Sequence, residues 1–350
     1  MGEQDFIVGP LDMREIGRDI PISAHDVIQE VDTRLRQGGV AHFRPLATGF
    51  EPLDSVLNGG IRPGELMIVG GPFGVGKTIF CLQMARNAAR AKQGAALYVC
   101  YEHSPTHLLS RLLCLESAER GHGRGALTLP KVEEMMSDFS DGGGLLSKLR
   151  DVRRYADMMD DMESYMDHLF LTRAGGTTIT VDRIESWVKE ILGEVGQPLL
   201  LVIDYIQKIP TNEDRFRSES DSVTYVVQAL KEIAVSNGIQ VAGIAASSRR
   251  GLQANRMRLS DLRGSSALQY ETDIGMILNN KYDVISREHL VYNLQEAEQM
   301  RRWLVMSIEK NRAGAHAIDL EFQLDAQHFH LAETGDFVRE RLVDDRVVLA

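Results

Sequence analysis

The segment Gly71-Pro72-Phe73-Gly74-Val75-Gly76-Lys77-Thr78 constrains the fold more than any other stretch of the 350-residue chain. It follows the apolar run Leu66–Gly70 without a break and opens a helical pattern that reaches to about residue 92. In that setting G-x-x-x-x-G-K-T is a phosphate loop. Its glycines let the chain curl until successive backbone N–H groups face inward, and the helix adds the positive end of its dipole. On this reading Gly71 through Val75, with Gly76, Lys77, Thr78 and Ile79, cradle the triphosphate of ATP. Lys77 neutralises the β and γ phosphates, and the Thr78 hydroxyl ligates Mg2+.

Such a loop needs a parallel sheet to stand on, and the hydropathy pattern supplies one. Strands are expected at 66–70, 96–101, 168–171, 199–204 and 241–245, with helices at 77–92, 181–192 and 222–236 between them. Strands alternating with helices of this length predict an α/β fold, a mostly parallel central sheet with helices on both faces. Strands at 303–308, 317–324 and 328–331 extend it. The expected ATPase domain covers 41–332, interrupted at 118–167 by a helical insertion with the flexible joints Gly121-His122-Gly123-Arg124-Gly125 and Gly142-Gly143-Gly144. The insertion is rich in Met, a residue suited to adaptable packing and also to docking a protein partner. Residues 1–40 hold one amphipathic helix, with Val27, Val31 and Leu35 at helical spacing behind a Ser23 cap, and residues 333–350 form a tail.

Two carboxylates belong with the loop. Leu199-Leu200-Leu201-Val202-Ile203-Asp204 is a buried strand ending in an acid, and ligands of open α/β sheets bind beyond the carboxyl ends of the strands, so Asp204 is expected in the Mg2+ shell. Tyr98-Val99-Cys100-Tyr101-Glu102 ends a second strand the same way. Hydrolysis needs a base to polarise the attacking water, and Glu102 is the candidate.

Composition narrows the class further. With 43% hydrophobic and 25% charged residues the chain is of ordinary globular make-up. It contains no apolar run near the roughly 18 residues of a membrane span and no leader pattern at its start, so a cytoplasmic place without membrane contact is expected. Cys81, Cys100 and Cys114 form no C-x-x-C pair, and His103 and His107 lack the Cys or acidic partners of a metal site. A net charge of −11 argues against binding nucleic acid over the whole surface and leaves room for a local basic channel.

Beyond these motifs the chain resembles a family. Thr48-Gly49-Phe50-Glu51-Pro52-Leu53-Asp54 and Gly59-Gly60-Ile61-Arg62-Pro63-Gly64-Glu65-Leu66 are similar to the entry of RecA-like motors of the DnaB and KaiC/RadA groups. Ile203-Asp204-Tyr205-Ile206-Gln207, Leu259-Ser260-Asp261-Leu262-Arg263-Gly264-Ser265-Ser266 leading to Asp273, and Glu309-Lys310-Asn311-Arg312-Ala313-Gly314 resemble the motor domain of DnaB-type replicative helicases. The resemblance spans about 46–331. It implies that Glu102 is the catalytic glutamate and that Lys310 and Arg312 reach into a neighbour's nucleotide site. Acting in trans, such an arginine is worth about three to five orders of magnitude in rate. It also implies a homo-oligomeric, hexameric ring, and a loop Arg263-Gly264-Ser265 that holds single-stranded DNA by its backbone. Arg249 and Arg250, with Arg256 and Arg258 in the following loop, add cations nearby.

Two departures accompany the resemblance. Residues 1–40 are too short for the family's primase-docking domain, and Ala245-Ala246-Ser247-Ser248-Arg249 stands where the family has Ser-Gln-Leu-Asn-Arg. Ala246 thus replaces the glutamine that couples phosphate sensing to DNA contact. A second function is therefore kept open, a RecA/KaiC-like ATPase whose nucleotide-dependent assembly serves as a switch or scaffold without unwinding.

Overall fold

A computed structural model describes residues 21–91, 94–121, 123–138, 142–175, 178–195, 198–211, 216, 218–249, 251–285 and 298–343. The strands are β1 (Leu66–Gly70), β2 (Ala95–Cys100), β3 (Leu169–Arg173), β4 (Leu199–Asp204), β5 (Gln240–Ile244), β6 (Ile274–Asn280), β7 (Trp303–Asn311), β8 (Ile318–Asp325), β9 (His330–Leu331) and β10 (Asp336–Phe337). The helices are α1 (Ala24–Arg36), α2 (Leu53–Val56), α3 (Lys77–Arg90), α4 (Pro105–Glu119), α5 (Leu129–Ser137), α6 (Leu145–Asp151), α7 (Arg153–Glu163), α8 (Val181–Val195), α9 (Glu219–Asn237), α10 (Ser265–Glu271) and α11 (Lys281–Val284).

Across the main sheet the strands run β3-β2-β4-β5-β1-β6-β7-β8-β10, while β9 pairs with β8. The six from β3 to β6 are parallel, and β7, β8 and β10 continue antiparallel. The parallel part is covered on both faces, which is why its strands are apolar throughout instead of alternating. In β1, Met67 and Val69 enter one core with α3, α4, α5 and α7, while Leu66 and Ile68 enter the other with α8, α9 and α10. β1 and β4 flank β5, so the phosphate loop and Asp204 leave the sheet one strand apart at its carboxyl edge.

Helix ends follow local chemistry. Ser23, Ser104 and Ser218 cap α1, α4 and α9 by accepting from the amides of Asp26, His107 and Asp221, and Pro105 occupies the first turn of α4. The segment Thr48-Gly49-Phe50 is structural: Asp54 accepts from the amides of Thr48 and Gly49 and from the Thr48 hydroxyl at 2.7–2.9 Å, and Phe50 packs 5.1 Å from Phe80.

Several expectations shift. The strand pattern does not include β6, which lies between β1 and β7. Strand 168–171 runs instead over Leu169–Arg173, and the pattern at 328–331 shrinks to two paired residues behind a 3-10 turn, Ala326–His328. Residues of the expected tail add β10 as an edge strand. In the stretch 118–167, α5, α6 and α7 form, and Met158, Met159 and Met162 point into the first core.

Candidate functional site

The phosphate loop takes its shape from glycine. Gly71, Gly74 and Gly76 have φ of +148°, +73° and +107°, a region that disfavours other residues. At Gly71 a Cβ would stand 2.4 Å from the Leu278 carbonyl oxygen of β6, so the loop fits beside the sheet only without a side chain there. Phe73 at the tip is largely exposed, and Val75 and Ile79 pack into the first core. Lys77 Nζ donates to the carbonyls of Gly71 and Pro72, both at 2.8 Å, and Ser247 beyond β5 donates to Gly71 O at 2.9 Å. Burial pushes the Lys77 ammonium below its ordinary range, against the pull of Asp204, Cys81 and Glu102. A cation so poorly hydrated gains strongly from an arriving anion.

Asp204 ends β4 opposite Cys100 of β2. Its Oδ2 accepts from Thr78 Oγ1 at 2.9 Å and from the Tyr98 hydroxyl at 2.8 Å. Burial raises the Asp204 carboxyl, the bonds from Tyr98 and Thr78 oppose the rise, and the charge of Glu102 adds to it. A hydroxyl and a carboxylate brought together beside a loop of amides are hard oxygen donors of the kind Mg2+ takes, so the residues present fit that ion. Glu102 lies just past β2 with its side chain exposed. Sequence reasoning missed Tyr98, because a tyrosine within an apolar strand reads as core.

Gln207, part of the family motif with no role expected for it, follows Asp204 by three positions. Its Oε1 accepts from Ala246 N at 3.0 Å and its Nε2 donates to Arg263 O at 3.1 Å. The Arg263 amide in turn donates to Ala246 O at 2.9 Å. A glutamine that follows β4, and not one at position 246, therefore joins the end of β5 to the arginine loop.

The basic patch is thinner than the sequence suggests. Arg256 is buried and spent on Asp319 and on Ser307 Oγ, the latter at 3.0 Å, and Arg258 is paired with Glu309 at 3.2 Å. Arg249 is exposed, and Arg263 is half-exposed with Glu219 at 2.9 Å. Gly264, at φ +77°, turns the chain into α10, which Ser265 begins. Arg250 lies outside the described residues.

Lys310 and Arg312 stand at the other edge of the sheet. Asn311 pairs with Ile274, which pairs with Met67 near the start of β1, whereas the phosphate loop leaves the end of β1. The four residue steps from Met67 to Gly71, roughly 13 Å of strand, separate the two levels. Lys310 Nζ donates to the carbonyls of Gln269 and Tyr270, and Arg312 Nη2 donates to Tyr270 O at 2.6 Å. Arg312 also lies 3.5 Å from Asp273, whose other oxygen accepts from Leu66 N and Lys231. Thus α10 has the Arg263 loop at its amino end and both cations at its carboxyl end.

The family model for the DnaB-like helicase C-terminal domain matches residues 45–331. The chain belongs to this family. Relatives of the DnaB-like family include the replicative DNA helicase DnaB of Nostoc sp. (strain PCC 7120), 29% identical over 246 residues, which are 69% of this chain and 24% of that protein. The DnaB of Treponema pallidum is 23% identical over 305 residues, 87% of this chain and 59% of its own length. That of Geobacillus stearothermophilus is 25% identical over 259 residues, 73% and 51%. The chain thus spans less than two thirds of the length of each of these curated relatives. Among solved structures, an ATPase domain superposes with a TM-score of 0.69 at 17% identity, covering 89% of this chain and 99% of that one. A DnaB-like replicative helicase, described with its interactions with primase, gives 0.66 at 17%, covering 90% and 67%. Both share the RecA-like fold expected from the sequence.

Proposed function

We propose that this chain is the motor of a DnaB-type helicase, hydrolysing ATP at the interfaces of a homo-oligomeric ring and drawing single-stranded DNA along its bore. The observation that carries the reading is the placing of cradle and cations at opposite edges of one sheet. Lys310 and Arg312 cannot serve the loop of their own chain, and a head-to-tail neighbour brings them to it. Six subunits is the family's habit.

At each interface Lys77 and the loop amides hold the triphosphate of ATP, and Thr78 and Asp204 hold Mg2+. Bound there, the ion neutralises charge between the β and γ phosphates. Glu102 accepts the proton of the water that attacks the γ phosphorus, the bond to the β-bridging oxygen breaks, and the products are ADP and phosphate. The neighbour's Lys310 and Arg312 offset charge on the transferring group. Gln207 and α10 support a link from this chemistry to the DNA loop, because each ties the Arg263 segment to one edge of the sheet. Arg249, Arg250, Arg263, Gly264 and Ser265 contact the DNA backbone without reading bases. Protein partners meet the insertion 118–167 on its charged outer face, since its buried methionines are engaged in the core.

The loss of Arg256 and Arg258 to internal pairs favours a second reading, a nucleotide-dependent assembly switch that moves no DNA. ATPase rate measured with and without single-stranded DNA over a salt series separates the two. The helicase reading expects stimulation that falls with salt, and Arg263→Ala is expected to flatten the salt dependence of binding by ~0.7 log units per decade for each lost phosphate contact. Neither binding nor stimulation at low salt would sink it.

A further inference from the structure

The turn from β2 into α4 carries two histidines that the hydrolysis scheme leaves unused. His103 follows Glu102 directly, and His107 lies one helical turn further on. Their rings stack with centroids 4.6 Å apart and planes 27° from parallel. Both present Nε2 to Arg111, which donates from Nε to His107 at 3.1 Å and lies with Nη2 3.1 Å from His103. The guanidinium is held in turn 5.0 Å from the centre of the Phe329 ring. Arginine offers donors only and keeps its charge, so each imidazole can accept from it only as the neutral ring with its proton on Nδ1.

Around Glu102 the backbone is tied on both sides. Before it, the Tyr101 amide donates to Asp204 O and the Tyr101 hydroxyl to Ile179 O, both at 2.8 Å. After it, the His103 amide donates to Cys100 Sγ at 3.2 Å, and the ring of His103 is fixed by Arg111. The Glu102 side chain itself is exposed, so its direction depends on these neighbours.

We propose that Arg111, His103 and His107 form a clamp that positions Glu102 and makes ATP turnover depend on both imidazoles being neutral. These are positioning residues, and the proposal rests on the reading of Glu102 as the base. Protonating either ring replaces an acceptor by a second cation against Arg111, and the clamp opens.

The surrounding charges set the direction. Burial pushes both histidines down from their ordinary value, and Arg111 pushes them further; Glu102 pulls His103 back up, and Glu133 of α5 does the same for His107. Tyr98, Cys100, Asp204 and Glu102 face Arg111 from the sheet side. On the turn carrying Phe329, His328 is engaged by Asp325 at 2.7 Å, and burial lowers His330. With folded values below the free one, the neutral pair is complete above about pH 6.5 and is lost as pH falls through the folded values.

The test is the pH profile of kcat for the assembled full chain with ATP and Mg2+, from roughly pH 5 to 8. His103→Gln/His107→Gln keeps two acceptors for Arg111 and removes both protons. Wild type is expected to lose turnover on the acid side of neutrality, and the glutamine pair to hold its plateau to lower pH. Arg111→Met is expected to lower kcat by about ten- to a hundredfold with KM for ATP changed by less than about twofold, as for a misplaced base. If Arg111→Met does not fold, as judged by its melt, the glutamine pair carries the test, because both histidines are only partly buried. An active wild type whose acid limb is unchanged in the glutamine pair would overturn the clamp. A wild type without turnover at any pH would instead overturn the ATPase reading beneath it.

Discussion

At the scale of single residues, the site is a set of groups displaced from their ordinary protonation balance by burial and held there by one another. Lys77 is pushed down and Asp204 up; the charge of Asp204 draws Lys77 partly back, and the hydrogen bonds from Tyr98 and Thr78 do the same for Asp204. Under the proposed reading, nucleotide and cation arriving together would relieve both at once. Lys77→Ala removes the charge that answers the phosphates, so ATP hydrolysis measured by phosphate release should fall to background while the melt stays near wild type; retained full activity would contradict the assignment. The Thr78 and Asp204 pair was legible because a glycine-lined loop and an apolar strand ending in an acid are both local patterns. Tyr98 was not, since its partner lies 106 positions away and the residue type suits a core equally well. The fates of Arg256 and Arg258 were hidden for the same reason: Asp319 and Glu309 meet them only in the folded sheet.

At the scale of elements, the sheet's carboxyl edge gathers the phosphate loop, Glu102, Asp204 and the Arg263 segment, and its amino edge gathers Asp273, Lys310 and Arg312. The seven residues of α10 run between these edges for about 10 Å. The alternation of strands and helices made most of this readable. β6 escaped because its motif, ending at Asp273, draws attention to the loop before it and not to the apolar run Ile274–Asn280. The insertion is legible as helical and Met-rich, but whether methionine faces a core or a partner depends on what packs above it. In α7, Met158, Met159 and Met162 are buried against the first core. Met158→Ala should therefore destabilise the chain by about 2–5 kcal/mol in chemical denaturation; a change within about 0.5 kcal/mol would mean a surface position.

At the scale of the whole molecule, the proposed ring makes use of features that a single copy leaves exposed. α1 exposes Val27, Ile28 and Leu35, an apolar face that a ring neighbour covers under the helicase reading. No helix among the described residues is long and apolar enough to cross a membrane. The charge of −11 sits with few exposed arginines at the proposed bore, so under the helicase reading DNA contact there is expected to be local and dependent on salt. Oligomeric architecture is the level least legible in a single sequence, since Lys310 and Arg312 look like two cations in a turn until the sheet sets them opposite the cradle. The shared site is tested most directly by mixing two inactive variants, Lys77→Ala and Arg312→Ala, and measuring ATP turnover. Random equimolar assembly leaves roughly one interface in four complete, because an intact loop then meets an intact neighbour's arginine. Turnover recovered toward that fraction is the expected result. No recovery from variants that bind each other, or full turnover by isolated single chains of the wild type, would contradict a site built from two copies.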